Sequence, residues 1–438
     1  MAFSLHGVKV PHRKNTANCA AVRITAPKTV TLLTAMHIGK PAAPVVKVGD
    51  HVDVGTLVAR QDGFISSPVY SSVSGKVTKI ADVLTSAGRH VPAIVIESDG
   101  ENTVAPEIAP PTVDSKEEFI EAVKQSGLVG LGGAGFPTYV KFMTDKKIDY
   151  LVINGTECEP YITSDTRTMV DDAAEIENAI NIIDKYFDIP NYVIGIEDNK
   201  KEAIAKMKEV AARNSKLSVK VLPSKYPQGG EKVLVYSTTG RVIKAGTLPA
   251  DSGCIVINCT TLAFISRYLK TGMPLIEKVV TVAGGAVKEP KNVLAPIGTS
   301  LQDMFDFCGG FTSDPVKVLY GGPMMGITVP SLDAPVLKQT NAILALTNKE
   351  VKAPEQTACI RCGTCASVCP FGIDPAAIAR GYELGNYENL GKYGLEVCME
   401  CGCCSFSCPA SRPLVQINKM AKPAYKKYKE DKEKEAQE

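Results

Sequence analysis

Apolar positions change their period several times along the chain, and each change marks an element. Between residues 25 and 100 they come in short runs broken by Gly and Asp. Residues 45–50, 54–59 and 72–77 read as strands with turns between them. Prolines 106, 110 and 111 then interrupt any regular pattern and mark a linker. From Lys116 the period becomes helical as far as Gln125, with Ser115 placed to cap the helix and Glu118 three residues on. A buried strand over 150–153 follows, then a strand over 192–196, a helix over 200–214 and a strand over 217–222, the alternation of an α/β sheet. Residues 279–283, 292–296 and 316–320 read as further strands, with a helix over 300–307 capped by Ser300. Residues 374–396 suit helix, and the chain ends in a Lys- and Glu-rich segment read as solvated helix or disorder.

This patterning predicts a multidomain α/β plus β protein. An extended, basic N-terminal arm (1–24) precedes a β domain (25–100), an α/β domain (112–268) and a small β domain (270–335). A Cys-rich helical domain (350–420) and a charged tail (421–438) complete the chain. The Val-Gly-Asp and Ser-Gly-Lys-Val turns of residues 25–100 resemble a biotinyl/lipoyl-type barrel-sandwich hybrid. No Lys lies between Lys47 and Lys76, and Gly63-Phe64-Ile65 fills that region, so the domain is expected to be structural rather than a swinging-arm carrier.

Composition narrows the function classes. The 438 residues carry a net charge of +2, which leaves no electrostatic footprint for nucleic acid. No apolar run approaches the ~18 residues of a membrane span, and no signal peptide is read at the start. Nine of the fourteen cysteines fall between Cys359 and Pro409. They form two runs, Cys359, Cys362, Cys365, Cys369-Pro370 and Cys398, Cys401, Cys404, Cys408-Pro409. This doubled C-x2-C-x2-C-x3-C-P spacing predicts two 4Fe-4S clusters. In two-cluster ferredoxins the fourth cysteine of each run serves the other cluster. The expected sets are therefore Cys359, Cys362, Cys365 with Cys408, and Cys398, Cys401, Cys404 with Cys369. Structural zinc explains C-x-x-C pairs but not two matching sets of four with trailing prolines, and a disulfide framework is weaker still. Cys403 is expected to be a non-ligand, and Cys158, Cys254, Cys259 and Cys308 small buried apolar residues.

A second stretch carries chemistry. Gly127 to Lys141 contains Gly130, Gly132, Gly133 and Gly135, which let a backbone approach a ligand and expose N–H groups to phosphate. Composition alone leaves a helix–helix turn equally open. Gly-Lys-Ser/Thr is missing, so this is no Walker A loop. A helix and not a strand precedes it, which departs from the dinucleotide fingerprint.

Gly-x-Gly-Gly-Ala-Gly-Phe-Pro-Thr-x-x-Lys141 resembles the FMN loop of the NADH-binding flavoprotein subunit of respiratory complex I. Asn154-Gly-Thr-Glu157-Cys-Glu159-Pro, Tyr226-Pro-Gln-Gly-Gly230-Glu231 and the Asn258 strand end resemble its later segments. Leu131 and Cys259 depart from that pattern, as do the two ferredoxin runs. Gly321-Gly-Pro-Met-Met-Gly326 and His37-Ile-Gly-Lys-Pro-Ala-Ala-Pro44 are similar to the C subunit of Rnf complexes, ion-translocating ferredoxin:NAD oxidoreductases, and this second resemblance spans nearly the whole chain. It implies that the α/β domain binds FMN and NAD(H), and that 270–335 is a soluble-ligand-binding β-grasp unit, here expected to be a packing module.

By the same resemblance, Gly130, Gly132, Gly133, Gly135 and Lys141 would hold the FMN phosphate. Asn154, Gly230 and Asn258 would line the ring, and Glu157, Glu159 and Glu231 would act as the catalytic wall of the nicotinamide pocket. Electrons would pass between NAD(H), FMN and the two clusters. The implied partners are the iron–sulfur B subunit, the membrane subunits and, indirectly, ferredoxin, with the chain peripheral on the cytoplasmic face of a bacterial membrane. A cobalamin reductase of a bacterial microcompartment and a non-catalytic relay with a decayed flavin site stand as alternatives.

Overall fold

The computed structural model describes residues 6–86, 88–351 and 354–435. Thr29–Leu33, His90–Ser98, Gly75–Leu84 and His51–Val52 form one antiparallel sheet. Ala43–Pro44, Leu57–Arg60 and Val69–Tyr70 form the facing one. Val30, Leu32, Val58, Val77, Ile94 and Ile96 close the core between them. Residues 45–50 are not a strand. Asp50 accepts from the Lys47 amide at 2.7 Å, and Gly49 takes a φ of 100°, so Val-Gly-Asp closes a turn. Residues 53–56 are likewise a turn, with the strand starting at Leu57.

The α/β domain is built on a four-stranded parallel sheet. Its order is Leu217–Leu222, Asn191–Glu197, Tyr150–Asn154, Cys254–Asn258. Alternate side chains of the central strand go to opposite faces: Leu151 and Ile153 join the large core, and Val152 packs with Leu234 and Val235. Both faces are thus covered, as parallel sheets require. Lys116–Gln125 forms with the expected capping box of Ser115 and Glu118. Asn154 and Asn258 are register partners at the carboxyl ends of adjacent strands, the edge where open α/β sheets take ligands.

The next sheet extends beyond residues 270–335. Its six strands run Val22–Arg23, Lys291–Pro296, Glu277–Ala283, Ala342–Leu346, Lys317–Tyr320, Ile327–Thr328. Ala342–Leu346 lies inside it and is buried throughout. The arm packs across the later domains: Val8 bridges Tyr226, and Asn292 donates to the carbonyls of Thr16 and Cys19.

The C-terminal domain is two copies of one loop. Arg361 and Glu400 have φ of 56° and 60°, and Gly363 and Gly402 have 75° and 81°. Each glycine precedes a one-turn helix, Thr364–Ser367 or Cys403–Phe406, that carries the third cysteine of its run. Pro375–Glu383 is capped by Asp374. The charged segment does not begin a separate tail at 421. Leu414–Glu435 is one helix, Ala421 is fully buried, and Lys422 donates to the Cys398 carbonyl at 2.7 Å.

Candidate functional site

A cavity of about 1360 Å³ opens at the carboxyl ends of the parallel strands. Gly130, Gly132, Gly133, Lys141, Asn154, Glu157, Glu159, Gly230, Glu231 and Asn258 all line it, so the fold brings together residues spread over a hundred positions. Gly135 is outside the wall. Its amide closes the loop on the Gly130 carbonyl at 3.1 Å, and its own carbonyl accepts from Ile38 of the β domain at 2.9 Å. Its φ of 66° suits glycine, and its part is to shape the turn.

The glycine loop presents a ready set of donors. Leu131 donates to the Thr261 hydroxyl at 2.9 Å. The amides of Gly132, Gly133 and Ala134, three in succession, make no hydrogen bond among the described residues. Successive free amides in a glycine turn form an anion nest. A Cβ on Gly132 would lie 2.9 Å from Asn258 Nδ2, so only glycine lets the loop approach the strand end this closely. The Lys141 ammonium stands beside it, donating to the Val256 carbonyl at 2.7 Å and lying 3.6 Å from Glu231. A glycine nest, a half-buried cation and a cavity at strand ends fit the phosphate and ring of a flavin mononucleotide.

The two asparagines are oriented by the chain itself. Asn154 donates to Gly229 O at 3.0 Å and accepts from Thr156. Asn258 caps the following helix, accepting from Thr260 and Thr261, and donates to Asp165 at 2.7 Å. Glu157 accepts from the Asp165 amide and the Thr166 hydroxyl, and Glu159 from the amides of Met324 and Met325. Burial pushes both carboxyls up, Glu159 to about 7, while Lys14 opposes the shift in each.

Several wall and support residues had no distinguishing mark in the sequence. Asp165 and Thr156 line the cavity from ordinary helix and turn positions. Lys14, in the basic arm, drives its ammonium into the acidic turn and donates to three carbonyls there, of Glu157, Glu159 and Ile162, at 2.8, 2.8 and 2.5 Å. Met399, between Cys398 and Cys401, reaches the same cavity from the Cys-rich domain.

Cys369, Cys398, Cys401 and Cys404 stand close enough to act on one another. Burial raises the Cys369 thiol first, and the charges of Cys401 and Cys398 raise it further. Cys404 feels Cys401, Cys398 and Cys369 in the same way. Cys365 and Cys408 pack in one apolar cluster that Cys404 also joins, so the two expected sets meet there, while Cys359 and Cys362 are exposed. Among the described residues no three candidate ligands converge on one ion. Thiolates of a cubane each take a different iron and so stand around a volume, not a point. Cys403 is buried against Tyr226. Cys254, Cys259 and Cys308 are buried, whereas Cys158 lines the cavity and accepts from the Gly229 amide at 3.3 Å.

Comparison with known proteins agrees with this layout segment by segment. Residues 3–101 match the RnfC barrel sandwich hybrid domain, 123–267 the Nuo51 FMN-binding domain, 279–328 the SLBB domain and 352–409 the 4Fe-4S dicluster domain. The C subunit of the proton-translocating ferredoxin:NAD(+) oxidoreductase complex of Clostridium ljungdahlii is 43% identical over 373 residues, 84% of this chain and 81% of that protein. The C subunit of the Na(+)-translocating complex of Acetobacterium woodii is 42% identical, over 85% of this chain and 86% of that protein. The C subunit of the ion-translocating oxidoreductase complex of Rhodobacter capsulatus is 37% identical, over 96% of this chain and 83% of that protein. In fold, a chain of an NAD+-reducing NiFe hydrogenase is similar at a TM-score of 0.50 and 16% identity, over 69% of this chain and 61% of that chain. The chain belongs to the RnfC family, the C subunits of ion-translocating ferredoxin:NAD(+) oxidoreductase complexes.

Proposed function

We propose that this chain exchanges electrons between NAD(H) and two 4Fe-4S clusters by way of FMN, as the C subunit of an ion-translocating ferredoxin:NAD oxidoreductase. The observation that carries the reading is the shared cavity. The glycine nest and both strand-end asparagines line it, and so does Met399 from between two cluster cysteines. FMN, when bound, accepts a hydride as an electron pair and releases the electrons singly, which suits one-electron clusters.

The residues divide the work. Gly132, Gly133 and Lys141 would hold the phosphate, with Gly130 and Gly135 shaping the loop. Asn154, Gly230 and Asn258 would line the ring, and hydrogen bonds within the chain fix the amide orientations of the two asparagines. Glu157, Glu159 and Glu231 border the nicotinamide, and the carboxyls of Glu157 and Glu159, pushed up by burial, can hold a proton near neutral pH. The cluster of Cys369, Cys398, Cys401 and Cys404 is the nearer one: Met399 lines the cavity, and the Tyr226 hydroxyl donates to the Cys401 carbonyl at 2.8 Å. The cluster of Cys359, Cys362, Cys365 and Cys408 would be the outer one, and the exposure of Cys359 and Cys362 supports docking of the iron–sulfur B subunit on that side. No helix among the described residues is long and apolar enough to cross a membrane. Attachment to membrane subunits at the cytoplasmic face would rest on protein contacts.

Anaerobic titration of the purified, cluster-loaded chain with NADH tests this directly. Flavin bleaching followed by cluster reduction is expected. Iron and sulfide without flavin uptake would leave only a relay and overturn the reading.

A further inference from the structure

Two side chains from outside the α/β domain hold carbonyls of the glycine loop, Lys278 from behind it and Asn341 from the cavity wall. Lys278, on strand Glu277–Ala283, is 4% exposed and is not part of the cavity wall. Its Nζ donates to the Leu131 carbonyl at 3.3 Å and to the Lys338 carbonyl at 3.0 Å. Asn341, just before strand Ala342–Leu346, donates its Nδ2 to the Gly132 carbonyl at 3.4 Å. In a trans peptide the C=O and the following N–H point in opposite directions. Fixing the Leu131 and Gly132 carbonyls therefore aims the Gly132 and Gly133 amides the other way. These are the first two of the three unpartnered amides, and both residues line the cavity.

We propose that Lys278 and Asn341 are positioning residues for an anion, orienting two successive peptides of the glycine loop so that their amides converge on the phosphate monoester of the flavin, with Lys278 as its buried counter-charge. This rests on the flavin reading above and names what gives that site its preference for a phosphorylated ligand.

The electrostatics agree. A buried ammonium with no carboxylate partner is a costly placement unless charge arrives elsewhere. Lys278 makes no ion pair among the described residues. Burial pushes it down to about 7, and the field of Asp165, on Ser164–Asp171, is the opposing influence. Lys338 faces it only through a carbonyl. Two acceptors satisfy a neutral amine. A phosphate seated across one peptide favours the protonated form, and the charged donor in turn polarises that peptide.

FMN and riboflavin differ only by the phosphate, so their affinity ratio isolates the effect. The full, cluster-loaded chain stripped of flavin is titrated with each while flavin fluorescence is followed. For Lys278→Met the expected loss is about tenfold in FMN affinity, with riboflavin affinity little changed. Asn341→Ala should act in the same direction and more weakly. In the unsubstituted chain the ratio should fall between pH 7 and 10 as Lys278 loses its proton; Glu157 and Glu159 in the cavity wall and Lys338 behind it also titrate near 7, so the test is that the fall is smaller in Lys278→Met than in the unsubstituted chain. Equal loss for both flavins, or a ratio unmoved by either substitution and by pH, would overturn the proposal while leaving the flavin reading standing. Should Lys278→Met fail to fold, Lys278→Arg, which keeps the charge through pH 10 and should flatten the fall, and Asn341→Ala decide it. An unsubstituted chain that binds neither flavin would overturn both.

Discussion

The thioether of Met399 rests against Gly230: a methyl built on that glycine would run into Met399 Cε and lie 2.9 Å from Sδ. One residue belongs to the second cysteine run and the other to the α/β domain, so this contact joins the Cys-rich domain to the cavity. Gly230→Ala should displace the flexible end of Met399 at a cost of about 1–3 kcal/mol. Iron and flavin content should persist while cluster reduction by NADH slows. In a double-mutant cycle with Met399→Ala, measured by denaturant unfolding, a coupling of about 0.5–3 kcal/mol is expected. Strictly additive losses would mean the contact carries no energy.

Crossed ligation is testable one cysteine at a time. The unsubstituted chain should hold about eight irons. Cys408→Ala should damage the cluster of Cys359, Cys362 and Cys365, and Cys369→Ala that of Cys398, Cys401 and Cys404. Only the second should interrupt the path next to the cavity. EPR of the reduced variants separates the cases. Loss of the sequence-adjacent cluster in each would mean that every run serves its own cubane.

What the sequence made legible was whatever is local. The Ser115–Glu118 capping box and strand Leu217–Leu222 depend on residues a few positions apart and appear as expected, and the doubled cysteine spacing, equally local, falls in the stretch that matches the 4Fe-4S dicluster domain. Ala342–Leu346 was invisible because a strand buried on both faces has no alternation, only a five-residue apolar run. Residues 45–50 misled for the opposite reason. Three valines in four residues have strand propensity, but Asp50 captures the Lys47 amide and turns the chain. Met399, Asp165 and Lys14 owe their roles to contacts between distant segments, which no spacing along the chain encodes.

Lys14 shows how much such a contact can hold. The turn it enters contains two non-glycine residues with positive φ, Glu157 at 44° and Tyr161 at 69°, and three of its carbonyls point at one ammonium. Lys14→Met removes the donor and leaves buried acceptors unpaired, at an expected cost of roughly 2–4 kcal/mol in denaturant unfolding. It also removes the cation that opposes the upward shift of Glu157, so any pH-dependent step that uses Glu157 should move to higher pH. A variant with unchanged stability and pH profile would reduce the arm to a surface strap.

Buried ionisable groups give the fold an unusual pH dependence. Glu159 is raised from 4.5 to about 7 by burial, so the native state holds a proton that the unfolded chain has released between those values. Its contribution is fully present below about 4.5 and is lost as pH rises through 7. Lys338 is lowered from 10.5 to about 7, also by burial, while donating to the Ser67 hydroxyl and to the carbonyls of Gly127 and Pro68. Here the unfolded chain holds the extra proton, so stability increases from pH 7 towards 10.5. The two windows meet near neutrality, where these groups together stabilise least. Calorimetry should find that Glu159→Gln gains on the unsubstituted chain as pH rises from 4.5 to 7, because the amide never ionises; it keeps one acceptor oxygen, and so loses one of the two bonds from the Met324 and Met325 amides at every pH. Lys338→Met should be less stable than the unsubstituted chain, and the gap should widen from pH 7 to 10 because only the lysine form gains there. A constant gap across that range would mean that Lys338 titrates alike in both states and that its burial imposes no penalty on charge.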